Sequence, residues 1–228
     1  MGSILEALSP EQQIACSTQN NILLTACPGS GKTRTLTHRL AYQVLRDPAS
    51  KKIKIAITYT NRAAEEITNR LEGMNIDQSS IWAGTIHQFC MHFIIRPYAM
   101  YSKRLCKGYR IIDDYSKKAY GREIAERLGM HLNYYDDPFQ YENVRTEYKR
   151  VLKEKKEIDF DAILLISEEL LASCAFIGSN IASVISSILV DEFQDTTELQ
   201  YSILSTIYKA NKSIILMFVG DVNQAIYS

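Results

Sequence analysis

The 228-residue sequence predicts a doubly wound α/β fold, and three observations carry that expectation. Short apolar runs rich in β-branched residues alternate with amphipathic stretches, the pattern of a parallel sheet covered by helices. Several of these runs are apolar throughout, as strands buried on both faces are. A glycine-containing loop follows the first run and two adjacent carboxylates end a later one, at the sheet edge where α/β folds bind ligands. Five strands are predicted, at 21–26, 53–58, 81–84, 186–190 and 214–219. From about Gln88 to Ala182 the strand signals stop and helical stretches take over, at 116–128, 141–156 and 160–173. Asp136-Asp137-Pro138 marks a turn among them, because the residue before a proline leaves the helical region. The expected organisation is an α/β domain built from 1–88 and 183–228, interrupted by a smaller α-helical subdomain at 89–182.

Composition narrows the class. With 46% hydrophobic residues, 10 Gly and 5 Pro, the chain is neither collagen-like nor of low complexity, and it can bury a substantial core. Its formal net charge is zero, yet the charge is uneven: up to Arg110 there are 14 Lys and Arg against 7 Asp and Glu, and beyond it 12 against 19. Between Asp77 and Asp113 no acid occurs, while Arg96, Lys103, Arg104, Lys107 and Arg110 alternate with Tyr98, Tyr101 and Tyr109. Such a stretch suits either a phosphate backbone or an ordinary solvated basic face. Five scattered cysteines without a CxxC pair fit neither a disulfide framework nor a zinc site, and a reducing compartment is expected. No apolar run approaches the roughly 18 residues of a membrane span, and no signal-peptide pattern opens the chain, so a cytoplasmic protein with no membrane partner is expected.

ACPGSGKT at 26–33 follows a predicted strand and opens a predicted helix, the context a phosphate-binding loop requires. Ala26, Pro28, Gly29, Ser30 and Gly31 form the loop, whose glycines let backbone N–H groups turn inward beside a helix N-terminus. Lys32 would reach the terminal phosphates and Thr33 would set its hydroxyl on a magnesium ion. The strict pattern has Gly where this chain has Ala26. ILVDEFQDT at 188–196 ends an apolar strand in two carboxylates. Asp191 suits magnesium through oxygen ligation, and Glu192 suits orientation and deprotonation of an attacking water.

These motifs resemble those of the UvrD/Rep-type superfamily 1 helicases, and the likeness runs through most of the chain in family order. LSPEQ at 8–12 looks like the adenine-recognising motif, ITYTNRAAEEI at 57–67 and GTIHQF at 84–89 like the two motifs after the phosphate loop. IDFDAIL at 158–164 looks like the return to the core, and VGDVNQAIYS at 219–228 like the motif coupling ATP to DNA. The resemblance implies a RecA-like P-loop NTPase core using ATP and Mg2+. It places Gln12 and Arg34 on the adenine, and Asp221 and Gln224 near the γ-phosphate or its attacking water. Ser9 and Gln12 are also spaced as a capping box with Pro10 at the first helical position, and one residue can serve both ends.

For single-stranded DNA the resemblance implies Tyr59 and Tyr227 as stacking platforms, each stacked base contributing roughly 1–3 kcal/mol. It implies Thr60, Asn61, Thr85 and His87 at the backbone. The expected partner is single-stranded DNA or a 3′-tailed duplex in a bacterial cytoplasm or nucleoid, with 3′-to-5′ polarity. Such helicases hold ATP between two motor domains, and this chain ends inside the coupling motif. It is therefore expected to be the N-terminal portion of a longer chain carrying the second motor domain, turning ATP over slowly and unwinding nothing alone. Two other parents fit: a helicase fused to a nuclease or set in an anti-phage complex, and an ATP-controlled binding module.

Overall fold

The computed structural model describes residues 4–27, 29–133 and 135–221. In chain order the α-helices are α1 (Pro10–Ser17), α2 (Lys32–Arg46), α3 (Asn61–Gly73), α4 (Ile86–Phe89), α5 (Arg96–Tyr98), α6 (Asp114–Arg127), α7 (Glu142–Lys155), α8 (Phe160–Ser173), α9 (Ala175–Val184) and α10 (Glu198–Ala210). The strands are β1 (Ile22–Thr25), β2 (Ile53–Thr58), β3 (Ile81–Thr85), β4 (Arg110–Ile111), β5 (Glu157–Ile158), β6 (Ile185–Val190) and β7 (Ile215–Gly220).

The five predicted apolar runs form one parallel sheet of order β1-β7-β6-β2-β3. The central strands are buried on both faces, which is why their sequences do not alternate. On one face Ala56, Leu189, Met217 and Val219 meet Leu36, Leu40 and Val44 of α2 and Ile67 and Leu71 of α3. Their spacing of four residues makes a single apolar stripe along each helix. Arg39 of α2 is wholly buried, its guanidinium donating to the carbonyls of Ala15 and, at 3.1 Å, Asn20. Burial pulls its pKa down to about 10.

The chain divides into two compact units, 1–89 with 174–228 and 90–173. The interruption is thus shorter than the expected 89–182. α9 belongs to the α/β unit because Ile177, Ile181 and Ala182 are buried and the helix packs on α10 and β6. Its sequence, AFIGSNIASV, carries Gly, Ser and β-branched residues of weak helix propensity, so the sequence did not announce it.

In the second unit Ile112, Ile124, Val144, Tyr148 and Leu152 form a core between α6 and α7. Tyr148 donates to Asp159 at 3.0 Å, and Lys117 pairs with Asp159 and Asp161. The segment expected to be purely helical also holds β4 and β5, paired in parallel as Arg110↔Glu157 and Ile111↔Ile158. Two-residue strands are too short to show a period-two pattern in sequence.

Candidate functional site

β1 delivers the phosphate loop. Its backbone turns through Gly29 (φ 78°) and Gly31 (φ 84°), left-handed conformations that β-carbon sterics penalise. Gly31 caps α2, so Lys32 and Thr33 are its first residues. Ala26 donates its N–H to Gly220 O at 3.2 Å, and its carbonyl accepts from Lys32 Nζ at 3.1 Å. Ser30 N–H donates to Cys27 O at 3.3 Å. Pro28 lies outside the described residues.

α1 braces the loop from outside. Ser9 and Gln12 make the capping box, Ser9 N–H donating to Gln12 Oε1 at 3.1 Å. Gln12 Nε2 also donates to Ser30 O at 3.1 Å, so the amide that caps α1 also reaches the phosphate loop. A β-carbon at Gly31 would lie 3.2 Å from that nitrogen. Arg34 donates to Ala7 O at 3.0 Å.

β6 brings the acids. Asp191 is 5% exposed and its N–H donates to Ile57 O at 2.8 Å. Thr33 Oγ1 donates to Asp191 Oδ2 at 2.9 Å, joining side chains 158 positions apart. Burial raises the Asp191 pKa above the ordinary carboxylate value, against the Thr33 hydroxyl bond that lowers it. A divalent cation there would favour the ionised form. The two oxygens suit magnesium, which takes hard oxygen ligands and keeps several waters.

Glu192 follows in the left-handed region (φ 51°), its N–H donating to Asp191 Oδ1 at 3.1 Å. Its carboxylate accepts from Gln194 Nε2 at 2.8 Å, and Gln194 Oε1 accepts from Asp221 N–H at 3.0 Å. Asp221 is buried at the end of β7. Gln224 and Tyr227 lie outside the described residues. The loop, Arg34 and Glu192 line a cleft of about 620 Å3, roomy enough for a small-molecule ligand.

A second cleft of about 390 Å3 opens beside the first, at the ends of β2, β3 and β6. Tyr59, Thr85, His87, Asp191 and Glu192 line it, and Glu192 bounds both spaces. Tyr59 is 68% exposed although aromatic. Thr60 caps α3, its hydroxyl oxygen accepting from Ala63 N–H at 3.2 Å, and Asn61 is the first, exposed residue of that helix. Thr85 N–H donates to Gln88 Oε1 at 2.9 Å, and its Oγ1 accepts from Gln88 N–H. Thr60 and Asn61 are not among the residues lining this cleft.

In the helical unit Lys107, Tyr109 and Arg110 from the basic stretch line a cleft of about 510 Å3 with Tyr120, Lys155 and Lys156. Glu157 is paired with Arg110, so three lysines remain to set the charge. Lys155 Nζ stands 4.0 Å from the Tyr120 ring centroid.

Sequence reasoning missed Arg70, His38 and Met74 in the first cleft, Thr197 and Gln200 in the second, and the linking part of Gln194. Arg70 and Met74 sit at the end of α3, beyond the ITYTNRAAEEI motif, and only the fold returns them to the loop. Gln194 stood inside the acidic motif, three residues past Asp191, without a pattern to assign its amide.

A family model described as an AAA domain matches residues 11–228. The ATP-dependent DNA helicase PcrA of Leuconostoc citreum is 27% identical over 92% of this chain and 32% of its own. DNA helicase II of Escherichia coli K12 is 27% identical over 98% of this chain and 35% of its own. PcrA of Staphylococcus aureus is 27% identical over the whole of this chain and 35% of its own. The expected resemblance to UvrD/Rep-type helicases is borne out by these matches. The chain spans about a third of the length of these curated relatives.

Proposed function

The chain belongs to the AAA domain family, and on that premise we propose that it is the ATP-binding motor portion of a DNA helicase or translocase moving 3′ to 5′. The observation that carries this is the Thr33–Asp191 hydrogen bond at 2.9 Å beside Lys32, with Glu192 lining both that cleft and the one holding Tyr59. Both relatives named above as PcrA are called ATP-dependent DNA helicases, which supports the same reading.

In this reading Gly29 and Gly31 turn backbone N–H groups toward the phosphates and Lys32 meets the terminal ones. Thr33 and Asp191 would hold Mg2+, which when bound neutralises charge on the phosphates. Glu192 orients and deprotonates the attacking water, and Gln224 and Asp221 attend the γ-phosphate. Gln12 and Arg34 meet the adenine, and Arg70 joins them at the rim. Bases of single-stranded DNA stack on Tyr59 and Tyr227, with Thr60, Asn61, Thr85 and His87 around its backbone. The lysine-rich cleft of the helical unit offers a second phosphate-contacting surface. A second motor domain in the full-length gene product completes the ATP site, and the work is done in the cytoplasm.

Calorimetric titration with magnesium-ATP tests this, run on wild type and Lys32→Ala, with and without an oligothymidine. Saturable binding that Lys32→Ala abolishes and oligothymidine alters is expected. Binding indifferent to oligothymidine would leave an ATP-controlled binding module, and no binding by the folded, full-length gene product would end the proposal.

A further inference from the structure

We propose that Gln194 is a positioning residue: its side-chain amide ties the Glu192 carboxylate to the end of β7, so that movement of β7's end is felt at the acid. The inference deepens the reading of Glu192 as the water-activating group and rests on it.

The amide is used at both ends. Nε2 donates to Glu192 Oε2 at 2.8 Å and Oε1 accepts from Asp221 N–H at 3.0 Å. Only one amide orientation satisfies both neighbours, because the flipped one sets oxygen against carboxylate and NH2 against N–H. A neutral amide also holds the carboxylate without cancelling its charge, as a lysine would. Four features fix the amide's place. Glu192 sits at φ 51°, uncommon for a residue with a β-carbon, and Asp195 N–H closes the following turn on Glu192 O at 3.0 Å. The Phe193 ring lies 4.4 Å from that of Phe218 on β7. A β-carbon at Gly220 would stand 2.7 Å from Gln194 Oε1, so glycine leaves the space that the amide fills.

β7's end is where two messages meet. Gly220 O accepts from Ala26 N–H of the phosphate loop, and the next residue, Asp221, donates to Gln194. The chain then runs into the segment carrying Gln224 and Tyr227. A displacement of that segment by DNA would reach Glu192 through one side chain.

The test uses the full-length gene product with Gln194→Met, which keeps length and removes both bonds, and Gln194→Glu, which keeps an acceptor for Asp221 but loses the donor to Glu192. Both variants should lose roughly 10–100-fold in DNA-stimulated kcat, the range seen when outer-shell partners that orient metal-ligating groups are removed. The Kd for magnesium-ATP should stay within about twofold, since ground-state binding is not touched. Unfolding temperature falls in either case because both bonds are lost, but a merely structural role would weaken nucleotide binding with it. In nucleotide-free protein the Gln194 side-chain amide resonance, identified by its loss in Gln194→Met, should move when Glu192→Ala is introduced. Full DNA-stimulated turnover in the Met variant, or an amide resonance indifferent to Glu192→Ala, overturns the proposal. Should Gln194→Met fail to fold, Gln194→Glu and the resonance decide. A wild type that hydrolyses no ATP with or without DNA refutes the functional reading, and the resonance alone then judges the bridge.

Discussion

Gly220→Ala perturbs the amide bridge without touching either residue it joins. The new methyl would meet Gln194 Oε1 at 2.7 Å, the far end of a flexible side chain, while the backbone nitrogens of Gln194 and Phe193 stand at 3.5 and 3.6 Å, ordinary contact. The side chain therefore swings away and β7 stays. Its departure takes the Gln194 acceptor from the buried Asp221 N–H, costing about 1–3 kcal/mol, and loses the bond to the partly exposed Glu192, about 1 kcal/mol. Alanine returns about 0.5–1 kcal/mol by restricting the unfolded chain. The net loss is about 2 kcal/mol, or roughly 4–8 °C in unfolding temperature for a chain of this size. Thermal unfolding by circular dichroism measures it, alongside DNA-stimulated turnover in a coupled ATPase assay, which should fall as in Gln194→Met. Unchanged stability and turnover would refute the bridge. A loss beyond about 5 kcal/mol would refute the reasoning differently, because it would mean core disruption of the kind large core truncations cause.

Tyr59→Ala should weaken oligothymidine binding by about 1–3 kcal/mol, read by fluorescence anisotropy, and Tyr59→Phe should restore it if stacking is the contact. Lys155→Glu with Lys156→Glu should leave the far-ultraviolet spectrum unchanged and flatten the slope of log affinity against log salt by about 0.7 for each phosphate no longer neutralised. Thiol labelling at pH 8 should modify the exposed Cys27 in the phosphate loop quickly and be slowed by magnesium-ATP. Cys16 and Cys90, whose pKa values burial pushes up to about 11 and about 12, should react only after unfolding. Equal labelling of all five cysteines in the native protein would contradict the burial pattern.

The sheet was legible because buried parallel strands write uninterrupted apolar runs, and Ile53–Thr58 and Ile185–Val190 are such runs. The phosphate loop was legible because its glycines, lysine and threonine are contiguous. What sequence hid was whatever depends on the fold's return. Arg70 comes to the loop only because α3 runs back along the sheet, and α9 joins the α/β unit by burying residues of poor helix propensity. The β4–β5 pair and the orientation of the Gln194 amide leave no periodic trace. Gln12 shows why spacing left two readings open: one amide caps its own helix and also holds the loop.

β7 sits between β1 and β6, paired as Thr25↔Gly220 on one side and Val190↔Phe218 on the other. A slip by one residue would turn Met217 and Val219 out of the core and unhook Ala26 and Gln194 at once. The strand therefore works as a ruler for insertions. An extra residue within 215–220 shifts one end against the other unless it bulges out of the ladder, whereas one at the exposed Lys212 and Ser213 turn changes neither measured end. Natural length variation around this site should accordingly gather before Ile214 and be missing from the six residues of the strand itself.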